Sequence, residues 1–287
     1  GSACGIAEPP TGFTFILDQS QVTMTVSSSK RTTILFAMFF AALLIGLSSS
    51  TASAQAYKEA YNAALEAAKA KDLPTALTKF TEAADGAAAE GDGDVEKRSR
   101  KVISQIEYNL GRRELKAENF DSAIAHFDNG IANYPTNALN YLARASTLKK
   151  MDRIDDAIAA FAQTAEIATA AQDTKTTRSA QEAIRGHYVF LASSALSRNG
   201  ARATASDADE AMGHIQSMLQ YVDADSDALY YTAESQKVKG EYDQAIVSAD
   251  QALELHRGSR SDKAKIYFVK GESMMNSGDI AGAKAAF

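Results

Sequence analysis

The sequence predicts an all-α protein, a solenoid of antiparallel helix pairs, on three observations. Phe120, Ala123, Ile124 and Phe127 return as Ile154, Ala157, Ile158 and Phe161, an interval of 34 residues, and a fixed period of this size marks a repeat architecture. The alanine lies four residues before the aromatic, on one helix face, where the small residue admits a neighbouring helix and the ring fills the space beside it. Strand signals are nearly missing: only Val22 to Val26 alternates loosely, ahead of everything that repeats. A single helical hairpin cannot bury its own apolar face, so copies must stack into a continuous core.

Taken in order, residues 1–23 begin without methionine, contain Pro9 and Pro10, and show no helical period; they read as an extension upstream of a chain that starts at Met24. Lys30 and Arg31 then precede an uncharged apolar run from Ile34 to Leu47, followed by small residues with Ala52, Ala54 and Ala56 at cleavage-site spacing. A basic start, a short apolar run and an A-x-A ending predict a secretory signal over 24–56. The run is shorter than the ~20 residues of a spanning helix; an uncleaved anchor that borrows Ser48 to Ala56 is the second option. No cysteine follows it, which speaks against a lipid-modified amino terminus.

From Tyr57 onward the text is helical, and about six hairpins are expected, over 57–88, 104–137, 138–172, 175–222, 226–258 and an incomplete 264–287. In the first, Pro74 sits in an opening helical turn, where its missing N–H costs nothing, and Ala76, Phe80 and Ala83 repeat the small-then-aromatic spacing. Gly86 to Asp94, with three glycines and several acids, reads as a linker. The fourth unit is degenerate: Lys175 to Ser197 is one long helical pattern, Arg198 to Arg202 a loop, and Ala211, Ile215 and Met218 a second helix without its aromatic. Regular spacing resumes with Tyr242 and Ala245. The last unit turns at Ser277 to Ile280 and reaches Ala283 and Phe287 with no polar capping helix, so the sequence reads as a fragment cut at both ends.

Leu110 and Gly111 in the first helix of a unit, Phe120 at the turn, Ala123 and Phe127 in the second helix and Pro135 at the close resemble the tetratricopeptide repeat, although the family's early tryptophan is absent, as it is from the whole chain. The resemblance implies a right-handed superhelix in which the first helix of each hairpin lines a concave groove that binds extended peptides or partner helices. Carried over by spacing, it picks out Tyr108, Arg112 and Leu115; Leu142, Ser146 and Lys149; Tyr230, Glu234 and Lys237; Phe268, Glu272 and Met275. Each set mixes apolar and polar groups, as recognition surfaces do. The competing expectation for Tyr108, Tyr230 and Phe268 is packing between adjacent helices. The family's carboxylate clamp needs lysines, asparagines and an arginine at set places, and only Asn109 fits one, so a chaperone-tail adaptor is not expected.

Composition narrows the function further. With 287 residues, 45% hydrophobic and 23% charged, the chain is globular. The net charge is −6, and residues 57–287 keep that value with 28 basic against 34 acidic residues; no basic surplus marks a nucleic-acid binder. Cys4 is the only cysteine, which leaves the repeats without a disulfide, zinc knuckle or catalytic thiol. His126, His187, His214 and His256 are too scattered for metal-ligand spacing and read as surface or helix-face residues. Asp155 and Asp156 suit a helix start, and no phosphate-binding or nucleophile motif occurs. The expectation is therefore an exported, non-catalytic protein-interaction scaffold of a bacterial-type cell envelope, without metal or cofactor. Its alternative is the amino-terminal repeat region of a larger envelope enzyme or membrane protein whose active domain lies beyond Phe287. Self-association is a third, weaker option.

Overall fold

The computed structural model describes residues 55–198 and 202–287. The upstream extension, the Val22 to Val26 segment, nearly all of the signal region and residues 199–201 of the predicted loop lie outside the described residues. Among the described residues there are twelve helices and no strand. They are α1 (55–69), α2 (Leu73–Glu90), α3 (Gly93–Lys116), α4 (Phe120–Asn133), α5 (Ala138–Lys150), α6 (Ile154–Ala170), α7 (Thr174–Ser197), α8 (Ala205–Met218), α9 (Ser226–Val238), α10 (Tyr242–Leu255), α11 (Arg260–Ser277) and α12 (Ile280–Ala286).

Seven of the turns share one two-residue design. Lys71, Gly91, Glu118, Asp152, Gln172, Gly240 and Gly278 hold φ between 58° and 94°, the left-handed conformation that ends a helix. The next amide then reaches back to a carbonyl of the preceding helix, as from Asn119 N–H to Glu114 O at 3.0 Å and from Arg153 N–H to Leu148 O at 3.1 Å. That same next residue is the N-cap of the following helix. Where it is aspartate, its side chain accepts from the new helix: Asp92 from Val95 N–H at 3.1 Å, Asp173 from Thr176 N–H at 3.1 Å, Asp279 from Gly282 N–H at 2.9 Å. Bonds from the Val95 amide and the Tyr57 hydroxyl hold the Asp92 carboxyl below its usual range, and bonds from the Thr176 side chain and amide do the same for Asp173.

The segment from Gly86 to Asp94, expected as a linker, is mostly helical instead. Helix α2 runs through it to Glu90, and α3 starts at Gly93, well before Ser104. Two of the three glycines have distinct jobs. A Cβ at Gly86 would lie 2.7 Å from the Tyr57 Cβ, so this glycine is a close-packing site inside a helix, and Gly91 is the left-handed cap. The intervening alanines are the best helix formers. Tyr57 closes the unit by donating its hydroxyl to Asp92 at 2.8 Å.

The repeat positions are occupied as the periodicity demands. Ala123 and Phe127 are fully buried, as are Ala76, Phe80, Ala211 and Ala245, and Ala157 and Phe161 nearly so. Opposite Phe127 stands Gly111, where a Cβ would sit 2.6 Å from the ring; the equivalent positions in later units are Ala145, Ala233 and Gly271, all small. Units are also joined by polar contacts: Asn140 on α5 donates to Ser104 Oγ on α3 at 2.9 Å. The buried residues form three local clusters along the array.

Each helix packs on its chain neighbours, and α3, α5, α7, α9 and α11 also touch in succession, whereas α4, α6, α8 and α10 do not touch one another comparably. Helices that stay close together on one side while their partners splay on the other define an inner and an outer layer. The described residues form an all-α, tetratricopeptide-like solenoid of antiparallel helix pairs.

Candidate partner-binding face

The inner layer carries all four sets of residues singled out by spacing, since they lie on α3, α5, α9 and α11. The structure gives them different duties. On α3, Arg112 is exposed and its guanidinium lies 5.6 Å from the Tyr108 ring centre, while Tyr108 itself is half-buried with its ring 6.3 Å from that of Phe127. Leu115 is half-buried. On α5, Leu142 packs against the core cluster and the Ser146 hydroxyl donates to Leu142 O at 2.8 Å, so these two serve the helix itself; Lys149 is exposed.

On α9 and α11 four of the residues meet. Lys237 bridges Glu234 at 2.9 Å and Glu272 at 2.7 Å, and the Tyr230 hydroxyl donates to Glu234 at 3.3 Å. All four are half-buried. Burial, reinforced by the Glu234 charge, drives the Tyr230 hydroxyl well above its usual range. Burial alone would lower the Lys237 ammonium, yet the two glutamates outweigh it and hold the ammonium above its ordinary value. Phe268 is 53% exposed and Met275 48%, with the Phe268 ring 5.8 Å from that of Phe287.

One inner-face residue escaped the sequence. Helix α7 exposes the stripe Glu182, Gly186 and Phe190, and the Phe190 side chain is 67% open to solvent. It sits inside an apolar run from Tyr188 to Leu191, where nothing distinguishes the outward ring from its half-buried neighbours; the helix spacing from the buried Ile184 is the signal that could have found it.

Two shallow cavities flank this face. One, of about 220 Å³, is lined by Lys101, Gln105, Tyr108, Tyr134, Leu139 and Asp173 among others. The other, of about 230 Å³, lies between α7, α9 and α11 and holds Tyr230, Asp227, His256, Asp262 and Lys265. There the Asp227 carboxyl is raised, chiefly by burial and then by Asp225 and Asp262. The histidines have separate surroundings: His126 contacts the buried Glu107 at 2.6 Å, His256 contacts Ser226 and Ser259, and His187 is lowered by burial and by Lys149. Among the described residues no group of His, Cys, Asp and Glu is placed to hold a metal ion, and no helix is long and apolar enough to cross a membrane.

No protein-family model matches the sequence, and no curated protein matches it. Solved structures do. A tetratricopeptide-repeat protein from Bacteroides fragilis is 16% identical, with a TM-score of 0.40, over 80% of this chain and 95% of its own. MamA from Desulfovibrio magneticus is 11% identical, with a TM-score of 0.34, over 64% and 90%. PilW, a type IV pilus biogenesis factor, is 13% identical, with a TM-score of 0.29, over 81% and 90%.

Proposed function

We propose that this chain is a protein-interaction scaffold that binds a partner peptide or helix along the inner face of its solenoid, without catalysis of its own. The observation that carries this reading is the inner layer itself: five successive helices present a continuous surface on which Leu139, Phe190, Phe268 and Met275 stand exposed, as do Arg112 and Lys149. Apolar anchors among polar groups are what a recognition surface needs. The basic start, apolar run and small-residue ending over 24–56 support export to the cell envelope, and mass analysis of the mature amino terminus would test that step.

The binding test is capture from cell extract with the full chain and a variant carrying Arg112→Ala, Lys149→Ala, Phe190→Ala and Phe268→Ala. All four side chains are exposed, so the variant should melt with the parent. A partner held by the parent and lost by the variant is expected. Recovery of the same partners by both would overturn the inner-face assignment.

A further inference from the structure

Charge is sorted by layer in this molecule, although the chain as a whole is acidic. Helices α3, α5, α7, α9 and α11 carry 18 Lys and Arg against 9 Asp and Glu, while α1 is balanced. Helices α2, α4, α6, α8, α10 and α12 carry 2 against 14. The net charge of −6 therefore conceals an inner layer with a surplus of nine positive charges and an outer layer with a deficit of twelve.

The surplus is also unevenly spent. On α9 and α11, Lys237, Lys265 and Lys270 are each paired with a carboxylate. On α3 and α5, Lys101, Arg112 and Lys149 make no ion pair among the described residues, and all are exposed. Lys101 and Arg112 lie on one stripe of α3 with Gln105 and Tyr108 between them, and Lys101 reaches the cavity that Tyr108 and Leu139 line. The acid in that cavity wall, Asp173, is committed to capping α7.

Resting on the inner-face reading, we propose that the α3–α5–α7 stretch receives an acidic protein segment bearing apolar side chains, with Lys101, Arg112 and Lys149 meeting its carboxylates and Tyr108, Leu139 and Phe190 its apolar groups. Packed helix layers stand about 8–10 Å apart, comparable to a Debye length of about 8 Å at physiological salt. A narrow segment laid on the inner face thus feels the inner cations while the outer acids are largely screened.

The test uses three fluorescein-labelled synthetic 12-residue peptides on a common pattern of leucines, with the remaining positions Asp and Glu, Asn and Gln, or Lys. Expected is binding of the acidic peptide about tenfold tighter than of the neutral one, weakening with added salt, and about a tenfold loss in a Lys101→Glu, Arg112→Glu variant that melts like the parent. Lys263→Glu on α11 is expected to change it less than about twofold. Equal affinity for the acidic and neutral peptides, or indifference to the charge reversal, would overturn the assignment. So would tighter binding of a single-stranded oligonucleotide, or of phosphatidylserine-containing vesicles, than of the acidic peptide. A neutral peptide lost on Phe190→Ala but not on charge reversal would overturn the acidic partner while leaving the inner-face reading intact; that reading fails only in the capture experiment.

Discussion

Tyr108 and Arg112 on α3 stand at the same repeat positions as Tyr230 and Glu234 on α9, and the two ends of the inner face use them in opposite ways. At the α3 end the polar partner of the tyrosine is an exposed guanidinium near its ring, and Lys101 and Lys149 are exposed and make no ion pair among the described residues. At the α9 end the tyrosine hydroxyl, two glutamates and Lys237 close on one another across α9 and α11. The fold fixes where a side chain points; the residue type decides whether the position is spent on holding units together or left for a partner. The first region is a surface and the second is a seam.

The largest test of that contrast removes a ring from equivalent places. Phe127 is fully buried against Gly111, whereas Phe287, the counterpart at the C-cap of α12 against Gly271, is 63% exposed. Phe127→Ala should cost ~3–5 kcal/mol and Phe287→Ala less than ~1 kcal/mol, in denaturant titrations of the two variants. Equal losses would mean that the repeat register assigned to α4 and α12 is wrong. Overpacking tests the same register from the other side: Ala123→Leu should cost ~1–3 kcal/mol, because the neighbouring helix occupies the space above it.

Next comes the seam itself. Lys237→Ala leaves Glu234 and Glu272 half-buried and facing each other without their shared cation, and should lower stability by about 1–3 kcal/mol. Lys149→Ala, at the equivalent position on α5, removes an exposed, unpaired charge and should fall within about 0.5 kcal/mol of the parent. Thermal melts at matched pH compare the two. If both variants melted together, the distinction between seam and surface would collapse.

These contrasts show what the sequence held in plain view and what it did not. The 34-residue return of Ala123 and Phe127 sufficed for the hairpin and the solenoid, because period and residue size are properties of the string. The helix at Gly86 is not legible in the sequence because glycine serves packing, capping and chain-breaking alike, and only the approach of Tyr57 tells a packing glycine from a breaking one. Phe190 was hidden for a related reason: in a run of apolar residues, direction depends on which helices stand on either side. The sorting of charge by layer needed helix boundaries and the identity of the inner layer before any tally of Lys and Asp could reveal it, since the sum over the chain is acidic.

A smaller effect bears on the turns at both ends. Glu118 and Asp152 hold φ of 62° and 58° where the later turns place Gly240 and Gly278 at 78° and 94°. A residue with a Cβ pays roughly 1–2 kcal/mol for that conformation, offset in part by the greater freedom that glycine gives the unfolded chain. Glu118→Gly and Asp152→Gly should therefore raise stability by up to about 1 kcal/mol, and Gly240→Glu should lower it by a similar amount in denaturant titrations. A loss on Glu118→Gly would show that its side chain contributes more to that turn than its backbone costs.

The smallest effect separates the regions by pH. Asp227, in the cavity between α7, α9 and α11, has its carboxyl raised in the folded state by burial and by the neighbouring Asp225 and Asp262. A group whose folded value lies above its unfolded one favours the folded state fully below the unfolded value, and that favour is lost as pH rises through the folded value. At neutral pH the ionised carboxylate is thus a local liability. Asp227→Asn should melt at or slightly above the parent at pH 7, and the gap should shrink as pH falls through the range where the parent's Asp227 takes up its proton. Asp173, lowered by its cap bonds to Thr176, should behave with the opposite sign: Asp173→Asn should lose stability at pH 7 and lose less as pH falls through the depressed folded value. Parallel pH–melting curves for the two variants would show that neither carboxylate is in the environment described for it.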